Sequence, residues 1–132
     1  MPEIEIKLND MSVLLTILEI DEVLPSIHFA AYLSAKQFDH SFSYDGSFWV
    51  ENAVYDNFCN NLLSRSDGVF QFIGMDENFT LSIECLPKLS ISCSIKRQGN
   101  AGELIESSYR RSIHLDEYAV IKKAFLDFPR WW

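Results

Sequence analysis

Residues 38–63, FDHSFSYDGSFWVENAVYDNFCNNLL, change their period midway, and that change decides the fold. In the first part Phe38, His40, Phe42 and Tyr44 alternate with Asp39, Ser41, Ser43 and Asp45, the two-residue repeat of a half-buried strand. Asp45-Gly46-Ser47 reads as a turn, with Ser47 a helix N-cap and Glu51 an acid in the first helical turn. From Val50 the apolar residues recur at 50, 54, 58 and 62, joined by Ala53, Tyr55 and Cys59. That spacing predicts an amphipathic helix reaching about Leu63.

Three strands precede this segment. Ile4, Ile6 and Leu8 alternate with Glu3, Glu5 and Lys7, Met11–Ile20 is a buried run, and Ile27, Phe29, Ala31 and Leu33 share one face. Asn9-Asp10 and Asp21–Pro25 supply the reversals. Downstream, Ser64–Gly68 ends the helix and four strands follow: Val69–Met75, Phe79–Leu86, Leu89–Ile95, and a longer, bent Glu103–Leu115. Asp76-Glu77-Asn78, Pro87 and Gln98–Gly102 separate them. Asp116 then caps a last helix carrying Tyr118, Val120, Ile121 and Phe125, which stops before a Pro-Arg-Trp-Trp tail. The order is ββββα followed by ββββα. Hairpin-length connections predict antiparallel sheets, so the expected class is α+β in a single domain over residues 1–132.

Composition agrees. The chain has 132 residues, 48% of them hydrophobic and 14% aromatic, enough for one core without disulfide or metal. Its three cysteines, Cys59, Cys85 and Cys93, form no close pair and suit a reducing compartment. The start, MPEIEI, is acidic where a signal peptide is basic, and no stretch approaches a membrane span, so the expected location is the cytoplasm. The net charge is −8, with ten acidic and three basic side chains in residues 1–66 against nine and eight in 67–132. Such a field disfavours nucleic acid and anionic membrane and favours a cationic partner.

Catalytic and cofactor signatures are missing from the sequence: there is no phosphate loop, dinucleotide glycine pattern, nucleophile elbow or metalloprotease helix. His28, His40 and His114 lie on separate predicted elements, and Cys85 and Cys93 are in phase with apolar neighbours. They read as core thiols rather than nucleophiles or zinc ligands. Lys96 and Arg97 face Glu103 and Glu106 across a hairpin, which accounts for the basic residues by local pairing. The expectation is no enzyme, no cofactor and no metal.

The carboxylates gather instead in loops. Glu19, Asp21 and Glu22 border one connection. Asp39, Asp45, Glu51 and Asp56 surround the third turn and first helix, and Asp76 and Glu77 form another tip. With Tyr44 and Trp49 as aromatic anchors, these are the candidate partner-binding residues, the charges steering and the rings supplying desolvated contact.

The order of features, with SFWVENAVYDNFCNNLL, FTLSIECL, KLSISCSI and SIHLDEYAVIKKAFLDF in succession, resembles small bacterial immunity proteins. It resembles especially the WapI-like type and those of contact-dependent growth inhibition; the repeated ββββα is also similar to the Whirly architecture. The resemblance implies a protein that binds a cognate toxin domain, often a nuclease, and neutralises it stoichiometrically. It carries no binding residue with it. The alternative from another class is a small adaptor or structural module that self-associates through a sheet edge.

Overall fold

The computed structural model describes residues 3–64 and 67–130. The acidic start at Met1-Pro2, the centre of the Ser64–Gly68 loop and the terminal Trp131-Trp132 therefore fall wholly or partly outside the described residues. The order is as expected: β1 (Glu3–Lys7), β2 (Met11–Asp21), β3 (Ser26–Gln37), β4 (His40–Glu51), α1 (Asn52–Ser64), β5 (Val69–Ile73), β6 (Phe79–Glu84), β7 (Ser90–Gln98), β8 (Leu104–Ser112) and α2 (Leu115–Leu126). Each group of four strands forms one antiparallel meander, β1-β2-β3-β4 and β5-β6-β7-β8. The chain is α+β.

The inward faces follow the two-residue alternation. Val13, Leu15 and Ile17 of β2, Phe29, Ala31 and Leu33 of β3, and Leu81 and Ile83 of β6 are all buried. Aromatic rings fill the space between the sheets: Phe48 stacks on Phe79 at 4.4 Å, and Phe72 meets Phe29 edge-on at 5.5 Å. Helix α1 contributes Tyr55, Phe58 and Leu62, and α2 contributes Tyr118, Ile121 and Phe125. The helices pack on β5 and β1 respectively and on each other, while β4 and β8 approach on the opposite side.

Several details differ from the sequence reading, among them strand ends: β5 stops at Ile73 and β8 runs Leu104–Ser112, paired with β7 without a register shift. Asp45-Gly46-Ser47 is no turn: β4 pairs with β3 without interruption from His40 opposite Gln37 to Glu51 opposite Ser26. Gly46 is there because a Cβ would lie 2.5 Å from the Tyr44 hydroxyl, whose ring covers it. The helix consequently starts at Asn52, and Ser47 caps nothing. At the other end, α2 is capped by His114, whose backbone N–H donates to Glu117 Oε1 at 3.1 Å, so Asp116 sits in the first turn. Val120 points outward and is not part of the apolar stripe. Finally, Phe38 does not face inward; it occupies the β3–β4 tip at φ 57° and is 89% exposed.

That left-handed position costs a phenylalanine about 1 kcal/mol that asparagine or glycine avoids. Phe38→Asn is therefore expected to raise stability by about 0.5–1 kcal/mol, read from the urea midpoint at unchanged slope. A fall in midpoint would mean that the Phe38 ring makes stabilising contacts.

A polar clasp closes one side of the sheet pair. Asp10, in the β1–β2 turn, accepts from Gln37 Nε2 at 2.7 Å and from the Tyr109 hydroxyl at 2.9 Å. Arg111 of β8 lies 3.0 Å from Asp10 Oδ1 and forks onto both oxygens of Glu117 on α2. One arginine thus ties both sheets to a helix.

Candidate partner-binding surface

Three backbone segments meet at the end of the molecule where β4 passes into α1. The first is the β2–β3 hairpin. Asp21 Oδ1 accepts from the N–H groups of Val23 at 2.9 Å and Leu24 at 3.2 Å, an Asx-type turn that holds the tip. Val23 is 90% exposed and Leu24 64%, with Glu22 beside them. The second is the junction itself, tied to the hairpin by Asn52 N–H donating to the Pro25 carbonyl at 2.9 Å.

The third is the β5–β6 turn, anchored to β4 by Met75 N–H donating to the Trp49 carbonyl at 2.7 Å. Asp76 shapes this turn by accepting from Asn78 at both oxygens, and Glu77 takes φ 61° with its N–H donating to the Gly74 carbonyl. Between the segments lies a mainly apolar notch of about 340 Å³, lined by Leu24, Pro25, Ser26, Glu51, Ala53 and Met75. A smaller one of about 130 Å³ shares Glu51 and Met75 and adds Glu77. Apolar side chains held exposed by built turns and rimmed by carboxylates are the anatomy of a docking patch.

The outer face of the first sheet adjoins this end. A register shift after Ile17 sets Glu19 opposite His28, and Glu19 Oε1 lies 3.1 Å from His28 Nδ1. His28 stacks on Trp49 at 4.7 Å and 7°. Farther along, Glu5, Leu14, Tyr32 and Asp45 stand in one row across the four strands, and Tyr32 is half exposed.

The structure thus divides the eleven expected residues. Glu51 and Glu77 line the notches, Asp21 and Glu22 lie on the hairpin that supplies Leu24 and Pro25, and Asp76 lies in the turn beside Glu77, with Glu19, Asp45 and Trp49 on the adjoining face. Asp39 lies at the β3–β4 tip, the opposite end of β3. Asp56 is engaged by Arg130 at 2.8 Å on another side of α1. Tyr44 turns inward onto Phe79 at 5.5 Å, and its hydroxyl is pushed above the usual range, first by burial and then by Asp76. Sequence reasoning missed the apolar members, Val23, Leu24, Pro25 and Met75. The signal was present in DEVLPS, where a loop hemmed by acids carries two large aliphatics and a proline.

Burial pushes the Cys59 thiol up to about 11 and that of Cys93 to about 12, so both stay protonated at neutral pH. Among the described residues no group of three or more His, Cys, Asp or Glu is placed to hold a metal ion, and no helix is long and apolar enough to cross a membrane. Compared with models of protein families, with curated proteins and with solved structures, the chain matches none.

Proposed function

We propose that the chain is an immunity protein that docks its notch end onto a basic toxin domain and neutralises it one-to-one, the toxin being a nuclease. One observation carries the reading: three separate chain segments meet at one apolar notch, where exposed Leu24 and Met75 lie beside the carboxylates Glu51 and Glu77, with Asp21 and Glu22 on the adjoining hairpin tip. A nuclease cleft is cationic because it holds phosphate. An inhibitor for such a cleft needs negative charge for fast encounter and apolar anchors for slow release. Leu24, Pro25 and Met75 supply the anchors, Glu51 and Glu77 the rim, and Glu22 adds charge on the neighbouring hairpin tip. The order of strands and helices, which resembles WapI-like immunity proteins, supports the same reading.

The test is co-purification with the product of the adjacent reading frame, followed by titration of that product's nuclease activity. Activity is expected to fall linearly to zero at one equivalent, and full activity in the presence of excess chain would sink the proposal. Leu24→Asp with Met75→Lys is expected to weaken the complex about 100-fold while leaving the urea midpoint in place, since both side chains are exposed. Association should also slow steeply as salt is raised.

A further inference from the structure

We propose that strand β8 is a self-recognition edge, along which a second copy of this chain pairs antiparallel about a two-fold axis through Ser108. The inference does not rest on the toxin reading and uses a different part of the surface. Among the described residues β8 is the last strand of its sheet and is bonded on one side only, to β7. Of the other outermost strands, β1 and β5 are packed by the helices, and β4 is bonded near its end by Met75 N–H. β4 approaches β8 from the inner face, where Phe42 lies 6.5 Å from the Tyr109 ring.

The hydrogen-bond phase of the edge is fixed. Gly99 N–H donates to the Glu103 carbonyl and Ile113 N–H to the Leu89 carbonyl, so the odd-numbered residues of this stretch spend their backbone groups on β7. The even-numbered residues, Leu104, Glu106, Ser108, Arg110 and Ser112, therefore direct theirs outward, and all five side chains are exposed. A row of unsatisfied backbone donors and acceptors is a pairing template. Native edges are usually blunted by charge, and β8 carries Glu106 and Arg110.

These charges select a partner rather than exclude one. A second β8 must set even residues opposite even residues. Among the antiparallel registers that do so, the one centred on Ser108 places Glu106 opposite Arg110 of the second copy, twice, by symmetry. It also uses the full strand, Leu104 facing Ser112. Lys96 lies 3.7 Å from Glu106 and Glu84 lies 3.1 Å from Arg110, so each new pair continues an alternating ladder. The Ser112 carbonyl already accepts from Arg111 Nη1, so the continuous new ladder runs from 106 to 110. Such an interface is isologous and closes after two copies. A single strand edge buries less than a standard interface, so the dimer is weak and depends on concentration.

The test combines sedimentation equilibrium of the full chain up to about 1 mM with disulfide trapping. The chain is expected to shift from monomer to dimer over that range. Arg110→Glu should weaken dimerisation about tenfold or more, and adding Glu106→Arg should restore it, because the double reversal recreates both pairs. Hydrogen-bonded partners across an antiparallel pair have Cα atoms about 5.5 Å apart, within disulfide range. Ser108→Cys should therefore oxidise to a covalent dimer about tenfold faster than Ser107→Cys or the parent chain, since 107 faces 109 and not itself. A chain that stays monomeric at about 1 mM, or equal cross-linking at 107 and 108, overturns the proposal.

Discussion

Phe72→Ala is expected to remove about 4 kcal/mol of stability, near the upper end for a buried ring. Phe72 is fully buried on β5, and six rings surround it: Phe29, Phe48, Tyr55, Phe58, Phe79 and Phe125, between 5.5 and 6.5 Å away. They come from β3, β4, α1, β6 and α2, so a hole at residue 72 is walled by five independently anchored elements. None can move inward without dragging a strand or helix, so the cavity persists and the loss exceeds simple transfer. Out of a total of roughly 5–15 kcal/mol, this leaves a marginal fold. Phe72→Leu keeps most of the volume and should cost about 1–2 kcal/mol. Urea unfolding at constant slope is the measurement. A loss under about 2 kcal/mol for the alanine variant would mean that the core closes around the gap, against the packing described here.

Much of this architecture is legible in the sequence because burial imposes the period. Ile4, Ile6, Phe29, Leu33, Leu81 and Ile83 alternate in the chain and are buried in the structure, and Phe58 and Leu62 recur at helical spacing for the same reason. Legibility fails where tertiary contact overrides local propensity. Asp45-Gly46-Ser47 has turn chemistry, yet β3 offers it continuous pairing, and Gly46 is the residue that lets Tyr44 fold over the strand. Phe38 keeps phase with Phe42 and Tyr44 in the sequence, but the β3–β4 reversal claims it.

The candidate site is legible in kind more than in place. Charge identifies loop carboxylates, and carboxylates repel core, so most of the expected residues are on the surface. Which of them meet depends on topology. Asp21 and Asp76 are 55 positions apart, yet their segments reach the same end because a hairpin and a turn both bond to the β4–α1 region, through Pro25 and Met75. Asp39 has the same local chemistry as Asp21 but sits at the other end of β3. Met75 gives no sign of being a surface anchor, because a large apolar residue in a sequence is first of all a core residue, and for Leu24 only the acids and proline of DEVLPS mark it otherwise.

Arg111→Met is expected to cost about 2–3 kcal/mol at pH 7, more than its partial exposure suggests, because two carboxylates lose their counter-ion together. Arg111, Asp10 and Glu117 keep only 16%, 22% and 16% of their side-chain surface. The Glu117 contact is a true fork. The Asp10 contact, although 3.0 Å long, is not aligned for a hydrogen bond, since Asp10 Oδ1 and Arg111 Nε are buried without hydrogen-bond partners; it is charge attraction alone. The fork holds the Glu117 carboxyl below the usual carboxylate range, with burial opposing and the His114 N–H assisting. A carboxyl depressed in the folded state stabilises above its unfolded value, about 4.3, and loses that contribution as pH falls through the folded value. The parent chain therefore gives up this stabilisation in acid, while the methionine variant never has it. The stability difference between them should be largest at pH 7 and shrink below about pH 4, as protonation neutralises what the arginine had balanced. Arg111→Lys, which keeps the charge but cannot fork, should recover less than half of the loss. A difference independent of pH between 7 and 3 would assign the arginine's contribution to the packing of its stem, and the two sheets would then be joined at this side by shape instead of charge.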